Sequence, residues 1–239
     1  MISNWKAVII TLFPEMFPGP LQTSVVGNAL NKGLWECNTV PMRDFGVGKH
    51  SQVDDTPAGG GAGMVLRADV VSNALDHTHQ TYGALPTYYL SARGAPFTQS
   101  KARELADEKG VILLCGRFEG VDERLLKARQ IEELSIGDFV LSGGEIAAFS
   151  VIDAVVRLLP GVLGGKASLF EESFENDLLE YPQYTRPRVW EDHRIPDVLL
   201  EGDHKKIAQW RRQQAKDLTQ SRRPDLWQRY VQNSLKSDD

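Results

Sequence analysis

Three glycine clusters mark places where backbone could approach a ligand closely: Gly59-Gly60-Gly61-Ala62-Gly63, Gly116-Arg117-Phe118-Glu119-Gly120, and Gly137 with Gly143-Gly144. The second and third border apolar runs of strand length. In an open α/β sheet, ligands sit beyond the carboxyl ends of strands, and glycine lets the chain come near them. A tight turn explains any single cluster; two at successive strand ends point to a pocket. Two charged features lie further along. Arg157 follows Asp153 by four residues on a largely apolar segment, a spacing that suits an intrahelical ion pair. Glu171-Glu172 sits in an acidic stretch that reads as a solvated loop. A glycine-lined pocket with an arginine and a carboxylate is suited to moving a proton and stabilising an anion. Spacing alone does not bring these groups together.

Other chemistries fail on inspection. The stretch Gly161 to Ala167 has the wrong spacing for a phosphate-binding P-loop, and alanine stands where the metal-binding hydroxyl belongs. There is no G-x-G-x-x-G dinucleotide fingerprint and no G-x-S-x-G nucleophile elbow. His77 and His79, two apart on a helix, point to different faces, and no further Cys or His joins them, so no zinc site is expected. Cys37 and Cys115 are too few for a disulfide framework.

The elements that must position these groups follow from the apolar pattern. Consecutive apolar residues at 6–12, 87–90, 111–115 and 138–141 predict strands buried on both faces. Helix-length segments at 21–32, 68–79, 100–109 and 121–129 lie between them. Such alternation predicts an α/β fold with a parallel sheet and right-handed crossovers. Residues 145–159 form a further helix, apolar except for one stripe after Glu145: Ser150, Asp153 and Arg157. Pro160 and Gly161 end it. Residues 164–190 show no apolar period, and five carboxylates fall between Glu171 and Glu180. Two amphipathic helices, 204–218 and 225–235, close the chain. The plan is an α/β domain over 1–163, a linker over 164–190 and a helical domain over 191–239.

With 239 residues, 41% of them apolar and 25% charged, the chain can bury a core without staples. No run approaches the roughly 18 apolar residues of a membrane span, so a soluble cytoplasmic protein with no membrane partner is expected. The net charge of −5 argues against a polyanionic partner until its distribution is considered. Residues 186–229 carry eleven Lys and Arg against seven Asp and Glu, or +4, leaving −9 for the remainder. Lys205, Arg212 and Lys216 share one face of the penultimate helix, while Ile207, Trp210 and Leu218 take another. With Tyr184 and Trp190 nearby, that face suits phosphate contacts or simply solvent.

Several segments in order resemble the bacterial tRNA (guanine-N1)-methyltransferases of the SPOUT class. They are LFPEMF (12–17), RDF (43–45), VDDTPAGGGAGM (53–64), CGRFEGVDER (115–124), SIGDFVLSGGE (135–145), PGVLG (160–164), ESF (172–174) and YTRP (184–187). The resemblance implies an α/β domain tied in a deep trefoil knot, then a linker and a small all-α tRNA-binding domain. It implies a homodimer with its active site at the subunit interface. The implied reaction moves the methyl group of S-adenosylmethionine to N1 of the guanine at tRNA position 37, beside the anticodon and preceded by a guanine.

By the same resemblance, the methyl donor lies against Tyr89, Leu90 and Ser91, against Gly116 to Gly120, and against Ser135, Ile136, Gly137, Asp138, Phe139, Val140, Leu141, Gly143 and Gly144. Glu172 becomes the base that removes the N1 proton, and Arg157 stabilises charge developing at O6. The target base must leave its stack to reach such a pocket. Magnesium assists the family; no ligand set is legible here beyond the single residue Glu119. The chain departs from the family pattern at Glu172, usually aspartate, with Glu171 as the neighbouring alternative. Phe118 and Phe139 lack a hydroxyl, Ala58 replaces an aromatic and Ala92 a proline. A SPOUT enzyme acting on another RNA and a non-catalytic RNA-binding module are the alternatives. The glycine loops, Arg157 and the linker carboxylate argue against the second, since a pure binder needs no donor pocket.

Overall fold

The computed structural model describes residues 4–163 and 172–236. The chain separates into two compact units, Met1–Gly164 and Gly165–Asp239.

The first unit is built on β1 (Trp5–Thr11), α1 (Ser24–Asn31), β2 (Trp35–Pro41), β3 (Asp54–Asp55), β4 (Val65–Leu66), α2 (Ala68–Tyr82), β5 (Thr87–Pro96), α3 (Gln99–Asp107), β6 (Gly110–Cys115), α4 (Glu123–Arg129), β7 (Glu132–Ser135) and α5 (Glu145–Val156). Five strands form a sheet in the order β2-β1-β6-β5-β7. All four neighbouring pairs are parallel, with Ile10 opposite Leu114 and Leu90 opposite Cys115. β6 is central, and every one of its residues is buried. Val111, Leu113 and Cys115 face the helices α1, α3 and α5, while Ile112 and Leu114 face α2 and α4. Cover on both faces is why its apolar residues run on without alternation. Two buried indoles are satisfied across the core: Trp5 Nε1 donates to the Leu105 carbonyl at 2.9 Å and Trp35 Nε1 to Val26 at 3.0 Å.

Three expectations change. Residues 138–141 are not a strand. The fifth strand is β7, and the apolar residues beyond it lie in a loop where Val140 is 90% exposed. Consecutive apolar residues there line a cleft mouth rather than a core. β2 was not expected, because Glu36 and Asn38 interrupt its pattern; it is an edge strand, where half-buried polar residues are tolerated. The run at 87–90 also continues to Pro96, and the ladder to β7 slips between Leu90 and Ala95. Gly94 makes this approach possible, since a Cβ there would meet the Leu134 nitrogen at 2.3 Å.

α5 buries Ala147, Ala148, Val151, Ile152, Val155 and Val156 and turns Ser150 and Asp153 outward. It ends at Val156, with Arg157 half-buried at its cap.

The second unit holds a two-residue antiparallel pair, β8 (Val189–Trp190) with β9 (His193–Arg194), and then α6 (His204–Arg222) and α7 (Pro224–Lys236). The strand pair was no part of the all-helical expectation. Asp203 caps α6 by accepting from the Lys205 and Lys206 amides. The chain ahead of these helices packs on them. The Leu179 amide donates to Thr219 Oγ1 at 2.8 Å, and Asn233 Nδ2 donates to Asp177 Oδ2 at 2.8 Å. Among the described residues, no helix is long and apolar enough to cross a membrane.

Candidate active site

Residues 89–92 of β5, the loop after β6 and the loop after β7 converge on one cleft of about 220 Å³. Every residue that the family resemblance assigns to the methyl donor lines it, save Asp138, which belongs to the same loop as its neighbours Gly137 and Phe139. Ala92, Leu134, Ser142 and Ala147 complete the wall.

Close backbone contact shapes this cleft. A Cβ at Gly144 would sit 2.8 Å from the Cys115 Cα, so the loop after β7 returns directly onto the end of β6. The Gly144 amide donates to the Gly116 carbonyl at 3.0 Å and fixes that return. A Cβ at Gly116 would strike the Tyr89 ring at 2.7 Å. The ring is buried beneath it, and burial pushes the Tyr89 hydroxyl above its usual pKa. The Gly137 amide donates to Ser135 Oγ at 3.2 Å, which closes the turn that starts the second wall. Gly144→Ala is expected to cost about 1–3 kcal/mol, because the new methyl meets backbone rather than a movable side chain. A shift in the urea midpoint at unchanged slope measures it, and an unchanged midpoint would show that the loop can lift without loss.

One charged network was invisible from spacing. Glu145, on the first turn of α5, is fully buried and accepts from Thr11 Oγ1 at 2.7 Å. Arg117 Nη2 lies 2.9 Å from Glu145 Oε2. That oxygen makes no aligned hydrogen bond, so charge more than direction holds the pair. Arg117 Nη1 donates to the Ser142 carbonyl at 3.2 Å, and the guanidinium lies 4.4 Å from the Phe13 ring centroid. The signal that could have found it was a carboxylate opening an otherwise apolar helix. Cys115 sits alongside. Burial, and then the Glu145 carboxylate, push its thiol well above the ordinary range. Cys37 is raised to about 11 by burial. Both shifts favour the protonated thiol, the less nucleophilic form.

The family's sequence profile, tRNA (Guanine-1)-methyltransferase TrmD, matches residues 5–229. The chain belongs to this family. Among its relatives are proteins named tRNA (guanine-N(1)-)-methyltransferase. The Bartonella tribocorum protein is 58% identical over 98% of this chain and 100% of its own length. The Sphingopyxis alaskensis protein is 57% identical over 95% and 93%, and one from Cereibacter sphaeroides 59% over 95% and 92%. Coverage of that extent takes in both units.

In this member of the tRNA (guanine-1)-methyltransferase family, the two residues expected to do chemistry fall in different units. Arg157 belongs to the first, where its amide donates to the Asp153 carbonyl at 3.2 Å. Glu172 belongs to the second. It is half-buried and lines a cavity of about 430 Å³ with Tyr181, Arg211, Arg212 and Tyr230. Glu171 lies outside the described residues. Glu119 lines the cleft and fills the space that a Cβ at Gly63 would need. The basic face of α6 is divided. Lys205 and Arg212 are exposed, whereas Lys216 is half-buried with its ammonium 5.5 Å from the Tyr230 ring. Burial acts to raise the Tyr230 hydroxyl; hydrogen bonds from Lys216 and Arg212 outweigh it and draw the pKa down.

Proposed function

We propose that this protein transfers the methyl group of S-adenosylmethionine to N1 of the guanine at tRNA position 37, beside the anticodon and preceded by a guanine. The observation that carries the proposal is the convergence of the three donor-assigned segments on one cleft. The donor suits that cleft because its walls are glycine backbone at Gly116, Gly143 and Gly144, where side chains would take up the room. S-adenosylmethionine supplies the methyl group. The chain's own residues supply the proton transfer. Guanine N1 carries a proton and becomes a good nucleophile when Glu172 removes it. Negative charge then develops toward O6, where the Arg157 guanidinium stabilises it. Glu172 afterwards releases its proton to water.

The finer architecture belongs to the same proposal. The parallel sheet is that of a SPOUT domain over 1–163 with a deep trefoil knot, followed by a linker over 164–190. The helical domain over 191–239 holds tRNA through cations such as Lys205 and Arg212, and the target base swings out of its stack to be methylated. The enzyme is a cytoplasmic homodimer with its active site at the subunit interface. Exposed apolar side chains at the cleft mouth support the dimer: Phe118, Phe139 and Val140 are the kind of surface a partner covers. Magnesium enters the proposal only as an aid to the reaction, with its ligands left open. Among the described residues, no three His, Cys, Asp or Glu side chains gather to hold a metal ion. No step is assigned to a metal.

Labelled S-adenosylmethionine offered with tRNA transcripts carrying G or A at position 37 tests the reading. Label is expected in the G transcript alone. Equal label in both would sink the position assignment, and label in neither would favour a binding module.

A further inference from the structure

The cleft wall contains an ion pair that proton removal and charge stabilisation at the base leave without a role. We infer that Glu145 is a positioning residue that locks and neutralises Arg117, so that the cleft admits a cationic methyl donor. The inference rests on the proposed reading that S-adenosylmethionine occupies the cleft.

Arg117 is part of the wall, with its side chain only 19% exposed, and Glu145 is 0% exposed. The arginine passes directly over the loop after β7, for a Cβ at Gly143 would lie 2.3 Å from its Nε. Its other partners are uncharged: the Ser142 carbonyl, the Phe13 ring and the Met16 sulfur. Among the described residues, Glu145 is the one carboxylate within salt-bridge distance of it. That carboxylate is itself fixed, by the Thr11 hydroxyl at the end of β1 and by its place on the first turn of α5, where the helix dipole favours a negative charge. A cation in the wall is therefore matched by an anion held between β1, the loop after β6 and α5.

Two consequences separate. Arg117 clasps the loop through Ser142, an effect that any ligand of the cleft shares. Charge balance is felt only by a charged ligand. S-adenosylmethionine carries a positive sulfonium, whereas its demethylated product, S-adenosylhomocysteine, has a neutral sulfur and is otherwise nearly the same size. An unmatched arginine repels the first and not the second. At an effective dielectric of about 20, a unit charge within about 10 Å changes affinity by roughly tenfold or more.

The test is isothermal titration of the full chain with both ligands, for the wild type, Glu145→Gln, Arg117→Gln and the double variant. Glutamine keeps an oxygen for the Thr11 hydroxyl and removes only the charge. Glu145→Gln is expected to lower the affinity for S-adenosylmethionine relative to S-adenosylhomocysteine by about tenfold. The double variant returns the ratio to the wild-type value, as coupled charges require. A purely structural ion pair would weaken both ligands alike, so an unchanged ratio in Glu145→Gln overturns the inference. If near-ultraviolet dichroism shows that Glu145→Gln has lost its fold, Arg117→Gln carries the test. Its ratio rises above wild type, since Glu145 is then the unmatched charge, and an unchanged or lower ratio overturns the inference. Binding of neither ligand by the wild type would remove the donor assignment itself, a distinct result.

Discussion

Glu172→Gln is expected to lower the rate of methyl transfer by about 10²–10⁴-fold, the range that a positioned general base contributes. The amide matches the carboxylate in shape but cannot take a proton. The neutral guanine then keeps N1–H, and its nucleophilic lone pair is not released. Affinity for S-adenosylmethionine should stay near the wild-type value, because Glu172 is not among the residues that line the glycine cleft. Single-turnover transfer at saturating donor measures the chemical step directly. Raising the pH should narrow the gap between variant and wild type, since N1 then ionises without help. A normal rate in the variant would remove Glu172 as the base and turn attention to Glu171.

Arg157→Ala carries the second large effect, a loss of about 10²–10³-fold in turnover, comparable to deleting one donor from an oxyanion site. The backbone bond at the end of α5, from the Arg157 amide to the Asp153 carbonyl, is kept in this variant. Turnover of the folded protein, with the folded fraction checked by its melting curve, should therefore fall well beyond any loss of stability. Arg157→Lys keeps the charge but not the planar fork, and should recover only part of the rate. A fall in melting temperature with turnover preserved would instead make Arg157 half of a structural ion pair with Asp153, as the four-residue spacing allows.

How much of this was legible from sequence depends on what each residue touches. β6 was legible because cover on both faces writes an unbroken apolar run. The run at 138–141 looked the same and is no strand, for apolar residues at a cleft mouth and in a core differ in what covers them, not in type. β2 escaped because an edge strand keeps polar residues. The cleft was legible in outline, since glycine is needed where chain meets chain, as at Gly144 against Cys115. Its charged wall was not. Thr11 and Glu145 stand 134 residues apart, and no local pattern reports a hydrogen bond over that distance.

That separation also has a consequence in time. β1 is synthesised before α5, and its Thr11 hydroxyl bonds a carboxylate made 134 residues later. At a synthesis rate of about 5–20 residues per second, roughly 7–27 s pass between them. Until then the ribosome carries a chain whose β1 lacks this partner. The wall next to Arg117 can close only once α5 has been made, so the donor cleft cannot be complete while only this unit's earlier strands exist.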